Sequence, residues 1–279
     1  MVDRMSRWAI TTSKARGKHG LGLTESAELL AEELNIPVIA RDNKGIGKLI
    51  AQHDLDVLLI EEEECLTAHW ADGQSLTYHP GMSVPRIKHI KDGEQEMLAT
   101  VMDLAVGDAV LDCTMGMASD AVTVSFLVGE SGGVTALESS EVIYAITSYG
   151  LKHWHTDSIP MRQAMERVKP VFSKYEQYLY DLAKQGQKRY DVIYFDPMFE
   201  RPIMESSGIA PLRKEADYAP LTQETLELAR SLCKKRVVVK HREGTLNHLV
   251  FDARLGGKYS NLAYGVLYAK ADGGDLHGI

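Results

Sequence analysis

Cysteine is scarce in this sequence. Cys65, Cys113 and Cys233 are the only cysteines among 279 residues, and no two of them form a C-x-x-C pair. A zinc ribbon and a redox-active dithiol both need such a pair, so the sequence argues against both. So few cysteines also exclude a small disulfide-bonded scaffold and fit a reducing compartment such as the cytoplasm.

Long apolar runs are absent as well. No stretch approaches the roughly 18 apolar residues that a membrane-spanning helix needs. Residues 1–20 also lack the apolar core of a signal peptide. We therefore expect a soluble protein of the cytoplasm with no membrane partner. Histidine, cysteine and the acidic residues show no metal-ligand spacing, so we expect no metal site.

An excess of positive charge is missing too. The net charge of −8 argues against a surface that nucleic acid coats along its whole extent. The charge is unevenly distributed, however. Residues 1–20 carry five basic residues against one acidic residue, whereas residues 54–64 carry six acidic residues and no lysine or arginine. The composition is therefore compatible with a local basic face.

The pattern along the chain predicts an α/β protein in two parts. Hydrophobic residues make up 44% and charged residues 25%, as in a packed globular protein. The pattern predicts a small α/β module over residues 1–80, in which Asp72-Gly73 is typical of a tight hairpin. Residues 81–93, with one proline, two glycines and a cluster of basic residues, form a predicted linker. Over residues 94–279 strands alternate with helices, which predicts a mostly parallel, doubly wound, Rossmann-like sheet.

The first motif in the second part is a turn between a strand and a helix. The strand ends at Asp112, Gly116 lies in the turn, and the helix begins near Ser119 and Asp120. Such turns let the backbone approach a nucleotide-like ligand, and the helix N-terminus adds hydrogen-bond donors. A single glycine falls short of the G-x-G-x-x-G that a dinucleotide pyrophosphate prefers, so NAD is disfavoured.

The second motif is an acid at the end of the next strand. Glu138 follows Asp112 by 26 residues. A carboxylate in this position can accept hydrogen bonds from both ribose hydroxyls of an adenosine. The alternative is an ordinary exposed glutamate at a strand end.

The third motif, Asp196-Pro197-Met198-Phe199, follows the apolar strand YDVIYF. The carboxyl edge of a parallel sheet is where such folds bind ligands. Phe199 could stack on a flat base, and Asp196 or a neighbouring carbonyl could accept hydrogen bonds from an amine. The alternative is a turn stabilised by Pro197, with Phe199 in the core.

Together these motifs resemble the class I S-adenosylmethionine-dependent methyltransferases, and among them the RsmJ family. Residues 112–120 are similar to that family's D-A-T-A-G-L-G-R-D turn, residues 196–199 match its D-P-M-F, residues 235–240 match its K-R-V-V-V-K strand, and residues 211–215 resemble its basic K-K-E-M segment. The resemblance covers about residues 79–269. The chain departs from the pattern at Met115, Ala118, Ser119, Glu200 and His241-Arg242.

The resemblance implies S-adenosylmethionine as the cofactor and methylation of a guanine N2 in small-subunit ribosomal RNA. It implies cofactor contacts at the ends of successive strands: Asp112, Gly116, Ser119, Asp120, Glu138, Ser139, Ser173, Lys174 and Asp196. It places the methyl acceptor at Asp196, Pro197 and Phe199. Ribosomal RNA or the small ribosomal subunit is the expected partner, for which basic residues supply candidate contacts: Arg86, Lys88, Arg213, Lys214 and Lys240.

Two other functions stay open from the sequence. One is a methyltransferase that acts on a small-molecule or protein amine, which would bind the cofactor without salt-sensitive RNA binding. The other is a non-catalytic RNA-binding or assembly protein on the same fold, which would transfer no methyl group. The altered residues of the turn, Met115 and Ala118, are the feature that favours the second of these.

Overall fold

The structure, a computed structural model, describes residues 7–13, 18–62, 65–186, 188–197, 220–242, 244–256 and 262–270, with side chains of the first helix from Glu25 onward. The described chain divides into two compact units. Residues 7–79 and 145–155 belong to the first, and residues 80–144, 156–197 and 220–270 belong to the second.

The first unit contains a four-stranded sheet. Its strands, in the order of the sheet, are β1 (Trp8–Thr12), β2 (Val57–Glu61), β3 (Leu66–Trp70) and β4 (Ser75–Thr77). Strands β1 and β2 pair in parallel, and the other neighbours are antiparallel. Gly73 has a φ of 83°, a left-handed value that glycine adopts without strain, so the predicted hairpin is confirmed. Helices α1 (Lys18–Leu34) and α2 (Ile46–His53) connect β1 to β2.

The second unit contains a seven-stranded sheet. In chain order its strands are β5 (Ala109–Asp112), β6 (Gly133–Glu138), β7 (Val168–Phe172), β8 (Tyr190–Phe195), β9 (Cys233–Arg242), β10 (Ala253–Gly256) and β11 (Leu262–Tyr268). Their order in the sheet is β10-β11-β9-β8-β5-β6-β7. Strands β5 to β9 are parallel to one another, whereas β11 runs antiparallel to both β9 and β10.

Seven more helices complete the described chain: α3 (Ser83–Lys91), α4 (Met97–Met102), α5 (Ser119–Val128), α6 (Glu141–His153), α7 (Ile159–Arg167), α8 (Tyr175–Lys184) and α9 (Gln223–Leu232). The sheet strands carry fully buried side chains such as Leu111, Leu137 and Ile193. The prediction of a mostly parallel, Rossmann-like sheet is therefore confirmed. Because strands β5 to β9 are parallel, their carboxyl ends meet at one edge of the sheet, where such folds bind ligands.

Helix α3 lies in the segment for which the sequence predicts a linker. Pro85 occupies its first turn, where a backbone N–H has no partner within the helix, so the proline does not break it. Ile87 is buried, and α3 packs on α5 within the second unit. The domain limits drawn from the sequence stay a prediction. No helix among the described residues is both long and apolar enough to cross a membrane.

Candidate active site

The site is built on Asp112, the last residue of β5. Its carboxylate accepts the backbone N–H of Thr114 at 2.9 Å and the Thr114 hydroxyl at 3.3 Å, which fixes the turn that follows the strand. The side chain is buried. Burial raises the pKa of Asp112 to about 7, and the neighbouring carboxylates of Asp120 and Asp196 act in the same direction.

Thr114 links the turn to the third sequence motif. Its Oγ1 accepts the backbone N–H of Asp196 at 2.7 Å, while the hydroxyl proton points to Asp112. A single side chain therefore joins the carboxyl ends of the neighbouring strands β5 and β8. Sequence reasoning used Thr114 only as part of the turn, because the spatial pairing of β5 with β8 is not visible in the sequence.

The turn itself leaves room for a ligand. Gly116 has a φ of 51°, and a Cβ added there would meet no atom of the described residues within 4 Å. Ala118 is also left-handed, with a φ of 56°, and its side chain does not cap helix α5. The Oγ of Ser119, the first residue of α5, is buried and has no hydrogen-bond partner among the residues that the structure describes. An open space above a glycine and an unsatisfied hydroxyl fit the cofactor that the resemblance implies.

Glu138, the last residue of β6, binds the backbone of the turn that follows β5. Its carboxylate oxygens accept the backbone N–H groups of Gly116 at 2.9 Å and of Ser140 at 2.8 Å. Each of the two carboxylate oxygens therefore accepts a backbone N–H at this edge of the sheet. The predicted cofactor residues Gly116 and Glu138 are thus brought together, with Ser139 next in the chain.

The residues after β7 lie beside Glu138. The backbone N–H of Ser173 donates to the Glu138 carbonyl at 2.9 Å, and Lys174 follows as an exposed side chain. Phe172, which pairs with Glu138 in the sheet register, is half exposed, and its ring centroid lies 5.6 Å from that of Tyr144. Sequence reasoning missed Phe172, although an aromatic residue directly before Ser173 could have drawn attention to it.

The third motif begins at the end of β8. The Asp196 carboxylate lies 2.7 Å from the ammonium group of Lys240. Burial raises the pKa of Asp196, and Lys240 opposes that rise. Pro197 is partly exposed. Met198 and Phe199 lie outside the described residues, so the stacking role of Phe199 stays a prediction.

A network of ion pairs extends from Asp196 into the unit. Lys240 Nζ also contacts Asp120 Oδ2 at 2.9 Å, and Arg86 donates to Asp120 Oδ1 at 2.5 Å. Arg86 in turn binds Glu96 at 2.6 Å. Burial works to raise the pKa of Asp120, but Lys240 and Arg86 outweigh it and lower that pKa to about 2.

The five basic residues predicted to contact RNA have different surroundings. Arg86 and Lys240 are turned toward carboxylates of the second unit. Lys88 is exposed on helix α3. Arg213 and Lys214 lie outside the described residues. Among the residues that the structure describes, no group of three acidic, histidine or cysteine side chains is placed to hold a metal ion.

Comparison with known proteins gives a consistent family. A model of SAM-dependent methyltransferases matches residues 48–249. The protein YpiP of Bacillus subtilis is 32% identical over 231 residues, which are 83% of this chain and 87% of YpiP. The ribosomal RNA small subunit methyltransferase J of Thioalkalivibrio sulfidiphilus is 28% identical over 230 residues, which are 78% of this chain and 83% of that protein.

A solved structure has a similar architecture. The SAM-dependent methyltransferase from Neisseria gonorrhoeae superposes with a TM-score of 0.63 at 17% sequence identity, and the superposition covers 96% of this chain and 97% of the other. At this level of identity the similarity shows a common fold.

Proposed function

The chain belongs to the SAM-dependent methyltransferase family, and we propose that it methylates the exocyclic amine N2 of a guanine in small-subunit ribosomal RNA. The observation that carries this proposal is the hydrogen bond between Thr114 and Asp196. It holds the acid of the D-P-M-F motif against the turn at which the fold binds its cofactor. An acceptor amine at Asp196 would then lie beside the cofactor's methyl group.

The proposed cofactor contacts come from the ends of three strands. Glu138 accepts the ribose hydroxyls, Ser119 donates its unsatisfied hydroxyl, and the backbone at Gly116 approaches the ligand closely. Ser139, Ser173 and Lys174 border the same edge of the sheet. S-adenosylmethionine supplies an activated methyl group on a sulfonium, so the protein has mainly to orient an in-line transfer.

The acceptor side of the site rests on Asp196, Pro197 and Phe199. The lone pair of guanine N2 is delocalised into the ring, which makes the amine a weak nucleophile. Hydrogen bonds from the amine to the Asp196 carboxylate and to the carbonyl beside Pro197 increase electron density on the nitrogen. Phe199 holds the base by stacking after it leaves its own stack.

Ribosomal RNA is the proposed substrate on two grounds. Relatives named ribosomal RNA small subunit methyltransferase J align with more than three quarters of the chain. The exposed Lys88 and the sequence segment with Arg213 and Lys214 offer positive charge for phosphates. Binding through such contacts weakens as salt rises, because counterions are released from the RNA.

The proposal is tested on the nucleosides of ribosomal RNA from a strain that lacks the protein. Digested small-subunit RNA from this strain should lack one N2-methylguanosine, which mass spectrometry detects. The wild-type gene should restore it, and a gene encoding Asp196→Ala should not. An unchanged nucleoside composition would overturn the RNA substrate and would favour a small-molecule or protein amine as the acceptor.

A further inference from the structure

Five charged side chains in the second unit form a charge network in which positive and negative groups alternate. Glu96 pairs with Arg86, Arg86 with Asp120, Asp120 with Lys240, and Lys240 with Asp196, at distances of 2.6, 2.5, 2.9 and 2.7 Å. They come from different elements: the N-cap of α4, helix α3, the first turn of α5, strand β9 and the end of β8. The charge network therefore links the acceptor motif to three helices.

These side chains are largely removed from water. The exposed fraction is 13% for Glu96, 18% for Arg86, 14% for Asp120, 20% for Lys240 and 29% for Asp196. A charge taken out of water is costly unless an opposite charge compensates for it. The exposed fraction is greatest at Asp196, so the charge network is most accessible to solvent beside the proposed acceptor.

Asp120 has little capacity left for a ligand. Its Oδ2 accepts both the Tyr194 hydroxyl at 2.7 Å and Lys240, and its Oδ1 accepts Arg86. A carboxylate oxygen has two lone pairs, so Oδ2 is saturated. Asp120 is better placed to anchor Lys240 than to bind a cofactor.

Lys240 is held between two carboxylates. Its ammonium group donates to Asp120 on one side and to Asp196 on the other. An RNA phosphate would have to compete with these two carboxylates for the same group. Arg86 is engaged in the same way, by Glu96 and Asp120.

We propose that Lys240 is a positioning residue that holds Asp196 for the acceptor amine. Asp120 anchors Lys240 rather than contacting the cofactor, and Arg86 holds Asp120 rather than contacting RNA. This inference rests on the proposed function, in which Asp196 accepts a hydrogen bond from the amine. Lys240 fixes the orientation of the Asp196 carboxylate, and its charge favours the ionised form, which accepts hydrogen bonds. The bond to Asp120 keeps the ammonium group of Lys240 beside Asp196 when the substrate binds.

Steady-state kinetics at several salt concentrations separate this role from an RNA contact. Lys240→Met should lower kcat of methyl transfer about 10–100-fold, with KM for RNA and its salt dependence unchanged. Lys240→Arg, which keeps the charge, should recover part of kcat. Lys169→Met is the matched control, because Lys169 is an exposed lysine on strand β7 of the same sheet. It should behave as the wild type.

A phosphate contact would give a different pattern. Lys240→Met would then raise KM and reduce the slope of log KM against log salt by about one, with kcat unchanged. That result would overturn the proposal. If Lys240→Met does not fold, Asp120→Asn removes the anchor and leaves the pair with Asp196. It should lower kcat with no change in cofactor affinity, and an unchanged kcat or a weaker cofactor affinity would contradict the proposed anchor.

A double-mutant cycle tests the pair without any measurement of activity. Urea unfolding is compared for the wild type, Lys240→Met, Asp196→Asn and the double variant. The folding equilibrium constant of the double variant should be at least tenfold larger than the value predicted by multiplying the effects of the two single substitutions. Additive effects would mean that the two side chains are not coupled. Unfolding needs no substrate, so this cycle tests the pair of Lys240 and Asp196 even if the protein does not methylate RNA. A failure to methylate RNA would overturn the proposed function alone.

Discussion

The hydroxyl oxygen of Thr114 accepts the backbone N–H of Asp196 at 2.7 Å, across the boundary between strands β5 and β8. The same hydroxyl donates to Asp112. The cofactor turn and the acceptor motif are therefore joined by one short side chain, although 82 residues separate them in the sequence.

Replacing Thr114 by valine should uncouple these two parts. The variant keeps the shape of the side chain and leaves the Asp196 N–H without its partner, which costs about 1–3 kcal/mol of stability. Urea denaturation measures this loss, and kcat of methyl transfer should fall with it. Thr114→Ser retains the hydroxyl and should resemble the wild type. Equal stability and activity in the valine variant would show that the bond has no role.

Glu138→Ala should weaken binding of S-adenosylmethionine. Loss of two hydroxyl hydrogen bonds to a carboxylate should reduce the binding free energy by about 1–3 kcal/mol. Titration calorimetry gives the affinity, and Glu141→Ala serves as the control because Glu141 is an exposed acid at the start of α6. An unchanged affinity in Glu138→Ala would exclude it as the ribose ligand.

Ala118 is strained, and glycine should relieve the strain. A non-glycine residue in the left-handed region costs about 1–2 kcal/mol, and Ala118 has a φ of 56°. Ala118→Gly should therefore raise the free energy of unfolding by up to about 1 kcal/mol, less the small loss of a buried methyl group. Ala121→Gly, within helix α5, should lower it by about 1 kcal/mol. Thermal denaturation that shows the same sign for both variants would contradict this interpretation.

Asp112 should make stability depend on pH. Its pKa is raised to about 7 by burial, and by Asp120 and Asp196, so the folded state binds its proton more tightly than the unfolded state. The contribution of Asp112 to stability is greatest below about pH 4 and declines as the pH rises to about 7. The adjacent Cys113 and Tyr194 stay neutral in this range, because burial raises their pKa values.

Asp112→Asn lacks this titration. Its stability relative to the wild type should therefore increase by about 2–4 kcal/mol between pH 4 and pH 8. Urea unfolding at a series of pH values provides the comparison. A difference that does not vary with pH would mean that Asp112 keeps an ordinary pKa in the folded protein.

Much of the second unit could be predicted from the sequence because its elements are local patterns. Helix α5 begins at Ser119, and strand β7 spans Val168–Phe172, as the apolar periodicity and the turn residues indicate. The order of strands in the sheet could not be predicted in the same way. The position of β11 between β9 and β10 follows from the packing of distant segments.

The charged network shows a second limit of the sequence. Lys240 and Arg86 look like surface residues in a linear pattern, and the sequence therefore predicts that both contact RNA. Their partners Asp120 and Glu96 come from other elements, so the ion pairs exist only once the sheet and helices have assembled. Helix α3 was missed for a local reason, since Pro85 suggests a linker unless it falls in the first turn of a helix.

Methyl transfer to small-subunit RNA in vitro tests the central claim most directly. Radiolabelled S-adenosylmethionine is incubated with RNA or subunits from the strain that lacks the protein, and cofactor affinity is measured in parallel. The account predicts label in a guanine with the wild type, none with Asp196→Ala, and detectable cofactor binding by both. Equal labelling by Asp196→Ala, or no label from a wild-type protein that binds the cofactor, would contradict it.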